Sequence, residues 1–312
     1  MKNKEKNFAS AVIYVHNAEK RIGIFLSAII KVMEEHFEHS EIICVNDSSD
    51  DDSLSAIKET VKGASAASVS VVNMSYFHGL EVAINAGVDL SIGDFIFEFD
   101  HTFLDFDPEM IMDIYRQALK GFDIVSASPD RRERFTSKAF YRIFDHYTEL
   151  GCRMSTESFR VLSRRVINRI HSMNKTVLYR KAVYANCGLK TDNIKYKPVG
   201  GNNISFDKKE KRYRAGLAVD SLILFTEMGY GFSKAMTVVM MVISLFMIVY
   251  SIVIYAVSSP VAGWTTTILF LSAAFFGLFG ILTIIIKYLQ LLIELIFKRK
   301  HYSFDSIEKL TK

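Results

Sequence analysis

The sequence predicts an α/β fold, a mostly parallel sheet with helices on both faces, followed by a two-helix membrane hairpin. Three observations predict it. Short β-rich apolar runs alternate with helical periodicity over the first hundred residues. Polar clusters follow those runs, where open parallel sheets place their ligands. Finally, the stretch between Lys234 and Lys287 contains no Asp, Glu, Lys or Arg, which is a membrane signature at that length. Of the 312 residues, 50% are hydrophobic, and only 4 are Pro and 16 Gly. A sizeable core is therefore available, and a disordered or collagen-like chain is excluded. Cys44, Cys152 and Cys187 are widely spaced and form no CxxC pair. That argues against a disulfide scaffold or a structural zinc site, and for buried free thiols.

The elements follow in order. Residues 8–15 (FASAVIYV) form a first strand, and 19–37 a helix with Ile22, Phe25, Leu26, Ile29, Ile30 and Met33 at helical spacing. Residues 41–45 (EIICV) make a second strand, ended by the polar cluster 46–53, which also starts a helix over 54–61. A strand at 68–72, a helix at 79–90 and a strand at 94–99 complete the series. Strand–helix–strand at this spacing implies parallel pairing through right-handed crossovers.

Two spans are predicted at 235–257 and 265–286, each near the roughly 20 residues a crossing needs. They are joined by 258–264, with Pro260 and Gly263 as breakers and Trp264 as an interfacial aromatic. Lys234, Lys287 and Lys298-Arg299-Lys300 flank the spans while the connecting loop is uncharged, which places both termini on the cytoplasmic side of the cell membrane. The start, Met1-Lys2-Asn3-Lys4, leads into no signal-peptide pattern. The expected organisation is a cytosolic domain over 1–207, a juxtamembrane amphipathic segment over 208–233, the hairpin over 234–287 and a cytosolic tail over 288–312. Residues 1–100 are acidic on balance, whereas 151–214 are rich in Lys and Arg, with clusters at Arg164-Arg165, Arg180-Lys181 and Lys208-Lys209-Glu210-Lys211-Arg212. These clusters are expected to face anionic headgroups or a lipid phosphate.

Three strand ends carry the polar chemistry: His16-Asn17-Ala18-Glu19, then Asn46-Asp47-Ser48-Ser49-Asp50, then Glu98-Phe99-Asp100-His101. Carboxylates so placed suit a cation-bridged diphosphate. The chain has neither GxGxxG nor GxxxxGK[ST], so the dinucleotide and P-loop readings fail.

The order Val12-Ile13-Tyr14-Val15-His16-Asn17-Ala18-Glu19, Val45-Asn46-Asp47-Ser48-Ser49-Asp50, Asn85-Ala86-Gly87, Gly93-Asp94 and an acidic pair resembles family 2 glycosyltransferases of the GT-A fold. Arg131-Arg132-Glu133-Arg134 with Phe140-Tyr141, and Ser158-Phe159-Arg160-Val161-Leu162-Ser163-Arg164, are similar to segments of the polyprenyl-phosphate branch, related to dolichol-phosphate mannosyltransferases. This chain departs from the family pattern in having Glu98 for the first Asp of D-x-D, Tyr14 for a Pro, and Ser48 for a loop Gly. Its Tyr76-Phe77-His78-Gly79 also lacks an Arg.

The resemblance implies an inverting, membrane-anchored glycosyltransferase. It would move a sugar from a nucleoside-diphosphate sugar, most simply a UDP-sugar, to a polyprenyl phosphate at the cytoplasmic membrane face, for surface polysaccharide or glycan assembly. Asp47 would receive the base, and Val15, Asn17, Glu19, Ser49, His78, Gly79, Glu98 and Asp100 would line the donor site. Glu98 and Asp100 would hold Mg²⁺ or Mn²⁺. Arg131 and Arg134 would position the acceptor phosphate by bidentate contacts. An acceptor hydroxyl instead would need a general base, for which Glu157 is placed; a third reading is an inactive scaffold of the same fold. No nucleic-acid partner is expected. Small residues in the spans (Ser272-Ala273-Ala274, Gly277, Gly280) permit self-association.

Overall fold

In a computed structural model, the residues described are 4–62, 67–130, 156–172, 179–185, 187–199, 208–225 and 302–311, with scattered positions between 235 and 292. Strands β1 (Ala9–Val15), β2 (Ser40–Asn46), β3 (Ser68–Met74) and β4 (Phe95–Phe99) alternate with helices α1 (Glu19–His36), α2 (Ser53–Val61) and α3 (Leu80–Leu90). They are followed by α4 (Met110–Leu119), β5 (Ile124–Pro129), β6 (Phe159–Ser163), α5 (Arg164–Ser172), α6 (Arg180–Ala185), β7 (Thr191–Tyr196), α7 (Lys208–Phe225) and β8 (Phe304–Lys309).

These strands form one sheet in the order β7-β5-β6-β4-β1-β2-β3-β8. β1 pairs in parallel with both β2 and β4, and β2 in parallel with β3, as the alternating pattern predicts. Both faces are covered. Phe25, Leu26 and Ile29 of α1, Ile57 of α2 and Ile111 of α4 pack with Ile13, Cys44, Val71 and Phe97 in the main core. On the opposite face Gly87 of α3 abuts Val12 and Val45, an approach only a residue without a side chain permits.

Two features go beyond the sequence pattern. β6 enters antiparallel beside β4, with Glu98 directly opposite Arg160. β8 comes from the expected carboxyl-terminal tail and pairs antiparallel with β3, so residues 304–309 belong to the sheet and are not a free tail. The chain divides into one compact unit of Met1–Ala218 with Lys300–Lys312, and a second of Val219–Arg299. The two predicted spans lie in the second, where Gly277 lies against Met240 and Lys287 pairs with Asp220 at 3.1 Å. Among the described residues no helix is long and apolar enough to cross a membrane; most of both predicted spans lies outside the described residues.

Candidate active site

The parallel order brings the ends of β1, β2 and β4 together. Asp47, just past β2, is wholly buried, and its amide donates to the Val15 carbonyl at 2.8 Å. Its carboxylate accepts the amides of His78 and Gly79, each at 2.8 Å, and the Tyr14 hydroxyl at 3.2 Å. Burial pushes the Asp47 carboxyl upward, against those hydrogen bonds, which favour the anion. Asp47 therefore organises the loop that opens α3. The expected direct contact with a base is not available to it as it stands, because the side chain is sealed.

The first two loops interlock. The Asn17 amide donates to Ser49 Oγ at 3.1 Å, and the Asp50 amide to Asn17 Oδ1 at 2.9 Å. Asn17 and Ser48 take left-handed backbone angles, with φ of 46° and 49°. Val15 is buried, whereas Glu19 is exposed on the first turn of α1. His78 stacks on Tyr76 at 3.9 Å and accepts the Ser303 amide at 3.2 Å, which ties this loop to the segment preceding β8.

At the end of β4, two guanidinium groups each fork across the acidic pair. Arg160 donates to Glu98 Oε2 at 3.1 Å and to Asp100 Oδ2 at 2.8 Å. Arg180 donates to the same Glu98 oxygen at 2.7 Å and to Asp100 Oδ1 at 2.8 Å. Tyr184 donates to Glu98 Oε1 at 2.6 Å, and Glu81 accepts both the Arg180 amide and its Nε at 2.9 Å. Glu157 reaches Arg160 Nε at 3.2 Å. Burial alone would raise the Asp100 carboxyl, but Arg160, Arg180 and Lys181 outweigh it and hold the group far below the usual carboxylate range. Desolvation opposes the charge on both arginines too, and the surrounding carboxylates overcome it.

Arg180 and Tyr184 were not legible as site residues. The Arg180-Lys181 pair, read as part of a headgroup-facing surface, places Arg180 in the interior, 1% exposed. Likewise Arg164 donates inward to the carbonyls of Ser91 and Gly93 at 2.9 Å. One signal was present: an arginine within the apolar strand FRVLS needs a buried acidic partner.

This arrangement decides what a divalent cation could use. Glu98 is sealed, with one oxygen taken by two guanidinium groups and the other by a phenol, so it does not fit the expected ligand role. Asp100 fits: each of its oxygens meets one guanidinium and retains a second acceptor direction. A separate group of Glu35, His36 and Glu109, at the carboxyl end of α1 and the start of α4, also brings metal-ligating atoms together. Arg131 and Arg134 lie outside the described residues.

The crevice is bounded by the first turns of α7. Tyr213 lies against Gly79 and edge-on to Phe77, with ring centroids 5.8 Å apart. Lys209 Nζ sits 4.7 Å from the Phe77 ring, and Arg214 reaches the Asp100 carbonyl at 3.5 Å.

A mostly parallel sheet with polar side chains gathered at its strand ends is an α/β architecture whose ligands sit at the carboxyl ends of the strands. The chain belongs to glycosyl transferase family 2, whose model matches residues 10–184. It is 27% identical over 226 residues to a prophage bactoprenol glucosyl transferase homolog of Escherichia coli K12, covering 70% of this chain and 72% of that one. An uncharacterized glycosyltransferase of Synechocystis is 29% identical over 187 residues, 58% of each chain. An undecaprenyl-phosphate 4-deoxy-4-formamido-L-arabinose transferase of Aeromonas hydrophila is 29% identical over 135 residues, 43% of this chain and 40% of that one. The match spans 58% and 59% of the lengths of the Synechocystis relative and of an uncharacterized glycosyltransferase of Bacillus subtilis. Among solved structures, a mannosyltransferase of Pyrobaculum calidifontis in complex with GDP-Man and Mn²⁺ matches with a TM-score of 0.49 and 13% identity, over 70% of this chain and 63% of that one. A likeness that loose carries nothing about this chain's ligands.

Proposed function

We propose that this protein transfers a sugar from a nucleoside-diphosphate sugar, a UDP-sugar first, to a polyprenyl phosphate at the cytoplasmic face of the cell membrane. The observation that carries the reading is Asp100: an ionised carboxylate at the end of β4, aimed by two arginines, with acceptor capacity left over. A divalent ion bound there, Mg²⁺ or Mn²⁺, supplies charge neutralisation for a leaving diphosphate. The chain's own residues do the rest. Asp47 holds the amides of His78 and Gly79, and so shapes the loop beneath the donor. Asn17 and Ser49 brace the neighbouring wall. Arg131 and Arg134 position the acceptor phosphate, which is already an anionic nucleophile and needs no strong general base. Glu157 pairs with Arg160, which disfavours the hydroxyl-acceptor reading that would employ it as that base. The names of the Escherichia coli and Aeromonas relatives support a lipid-phosphate acceptor.

Membrane anchoring by 235–257 and 265–286 has its own support. The segment 219–299 leaves and rejoins one compact unit, and an excursion that starts and ends on one side of a bilayer crosses it an even number of times. The uncharged stretch is long enough for two passes of about 20 residues. Contact between Met240 and Gly277 is what a hairpin requires.

Membranes containing the protein, incubated with radiolabelled UDP- and GDP-sugars and polyprenyl phosphate and then extracted with organic solvent, test the reaction. Acid-labile label in the organic phase, lost in Asp100→Asn, is expected. Label that stays aqueous with every donor overturns the proposal.

A further inference from the structure

We propose that the first turns of α7 are a lid over the strand-end crevice, latched by Tyr213, and that a nucleoside diphosphate enters by displacing them. This rests on reading that crevice as the donor site. Gly79 has φ of 86° and no side chain, and the Tyr213 ring lies so close that a Cβ at this position would overlap it. The Tyr213 phenol takes the Glu81 amide, a donor in the first turn of α3; a phosphate oxygen is the usual alternative occupant of such a position. Phe77, Gly79 and Asp100 are thus all touched by one helix, through Lys209, Tyr213 and Arg214.

The latch is built to release. Arg214 is paired within its own helix to the buried Glu210, at 2.8 and 3.0 Å, and reaches the Asp100 carbonyl at 3.5 Å. Lys209 rests on the face of the Phe77 ring. Lifting these turns gives up the Glu81 amide hydrogen bond, the Arg214 contact with the Asp100 carbonyl, the Lys209 contact with the Phe77 ring and the packing of the Tyr213 ring, and it leaves two cations beside an arriving diphosphate. The remaining charged groups facing Tyr213, namely Glu81, Asp47 and Arg180, belong to the sheet side and stay in place.

UDP binding to the full-length protein in detergent, with Mg²⁺ present, is the test. If the closed form holds about 90% of the molecules, removing the latch by Tyr213→Ala strengthens UDP binding about tenfold. A Phe77→Cys/Lys209→Cys pair, placed in a Cys152→Ser background and bridged by a short methanethiosulfonate linker, should weaken UDP binding by at least that factor, with recovery on reduction. Unchanged affinity in the bridged protein overturns the lid. So does weaker binding by Tyr213→Ala at an unchanged melting temperature, since Tyr213 would then be a donor contact. If neither UDP nor GDP binds any of these proteins, the donor reading falls and the lid falls with it.

Discussion

Ser48 shows how a single residue reports on its loop. Its φ of 49° is a left-handed conformation that costs a residue with a side chain about 1–2 kcal/mol. The loop still needs it, because the next residue, Ser49, braces Asn17. Ser48→Gly should therefore stabilise the protein by up to about 1 kcal/mol in denaturant unfolding. The opposite effect is expected at Arg180, whose removal takes the guanidinium partner from the buried Glu81 and leaves Glu98 and Asp100 to share Arg160 alone. Arg180→Met should cost roughly 3–5 kcal/mol, the range for leaving one partner of a buried ion pair uncompensated, and should abolish transfer. Cys44 is fully buried, and burial pushes its thiol up to about 12; Cys187 is buried and raised as well. Thiol titration of native protein at pH 8 should thus count no more than one reactive group, and three after unfolding.

Among the elements, β8 is the one whose sequence conceals it. FDSIEK has little β-branched content and alternating exposure, and it resembles a solvated tail. What makes it a strand is the open edge of β3, along with Lys58 pairing Glu308 at 2.6 Å and the Val69 amide donating to Thr311 at 2.7 Å. Ending the chain after residue 301 should expose that edge and lower the melting temperature by about 5 °C, since each 1 kcal/mol is worth about 2–4 °C in a domain of this size. Concentration-dependent association should follow, because an uncovered strand edge pairs with other chains. Light scattering and thermal melting read both effects. By contrast, β1 and β2 are legible directly, since strands buried on both faces read as near-continuous apolar runs.

For the whole molecule, the hairpin topology predicts a labelling pattern. A membrane-impermeant maleimide applied to intact cells should label Ser259→Cys in the connecting loop and spare Ser55→Cys on the exposed side of α2. Labelling of both, or protection of the loop, would overturn the orientation drawn from Lys234, Lys287 and Lys298-Arg299-Lys300.

Periodicity and residue type by themselves determined the alternating α/β core, the parallel pairing of the first four strands, the uncharged stretch and the strand ends where chemistry gathers. Those signals are local: each lies within a window of a dozen residues, where burial imposes its period. Only the tertiary structure decided that Asp47 faces inward to two amides, that Arg160 and Arg180 clasp Glu98 and Asp100, and that Tyr213 covers Gly79. Each of these joins residues from 31 to 134 positions apart in the chain, and Arg180 in a basic run looks the same whether it meets solvent or a buried carboxylate. Desolvation and pairing are properties of the assembled fold, so no local window of sequence contains them.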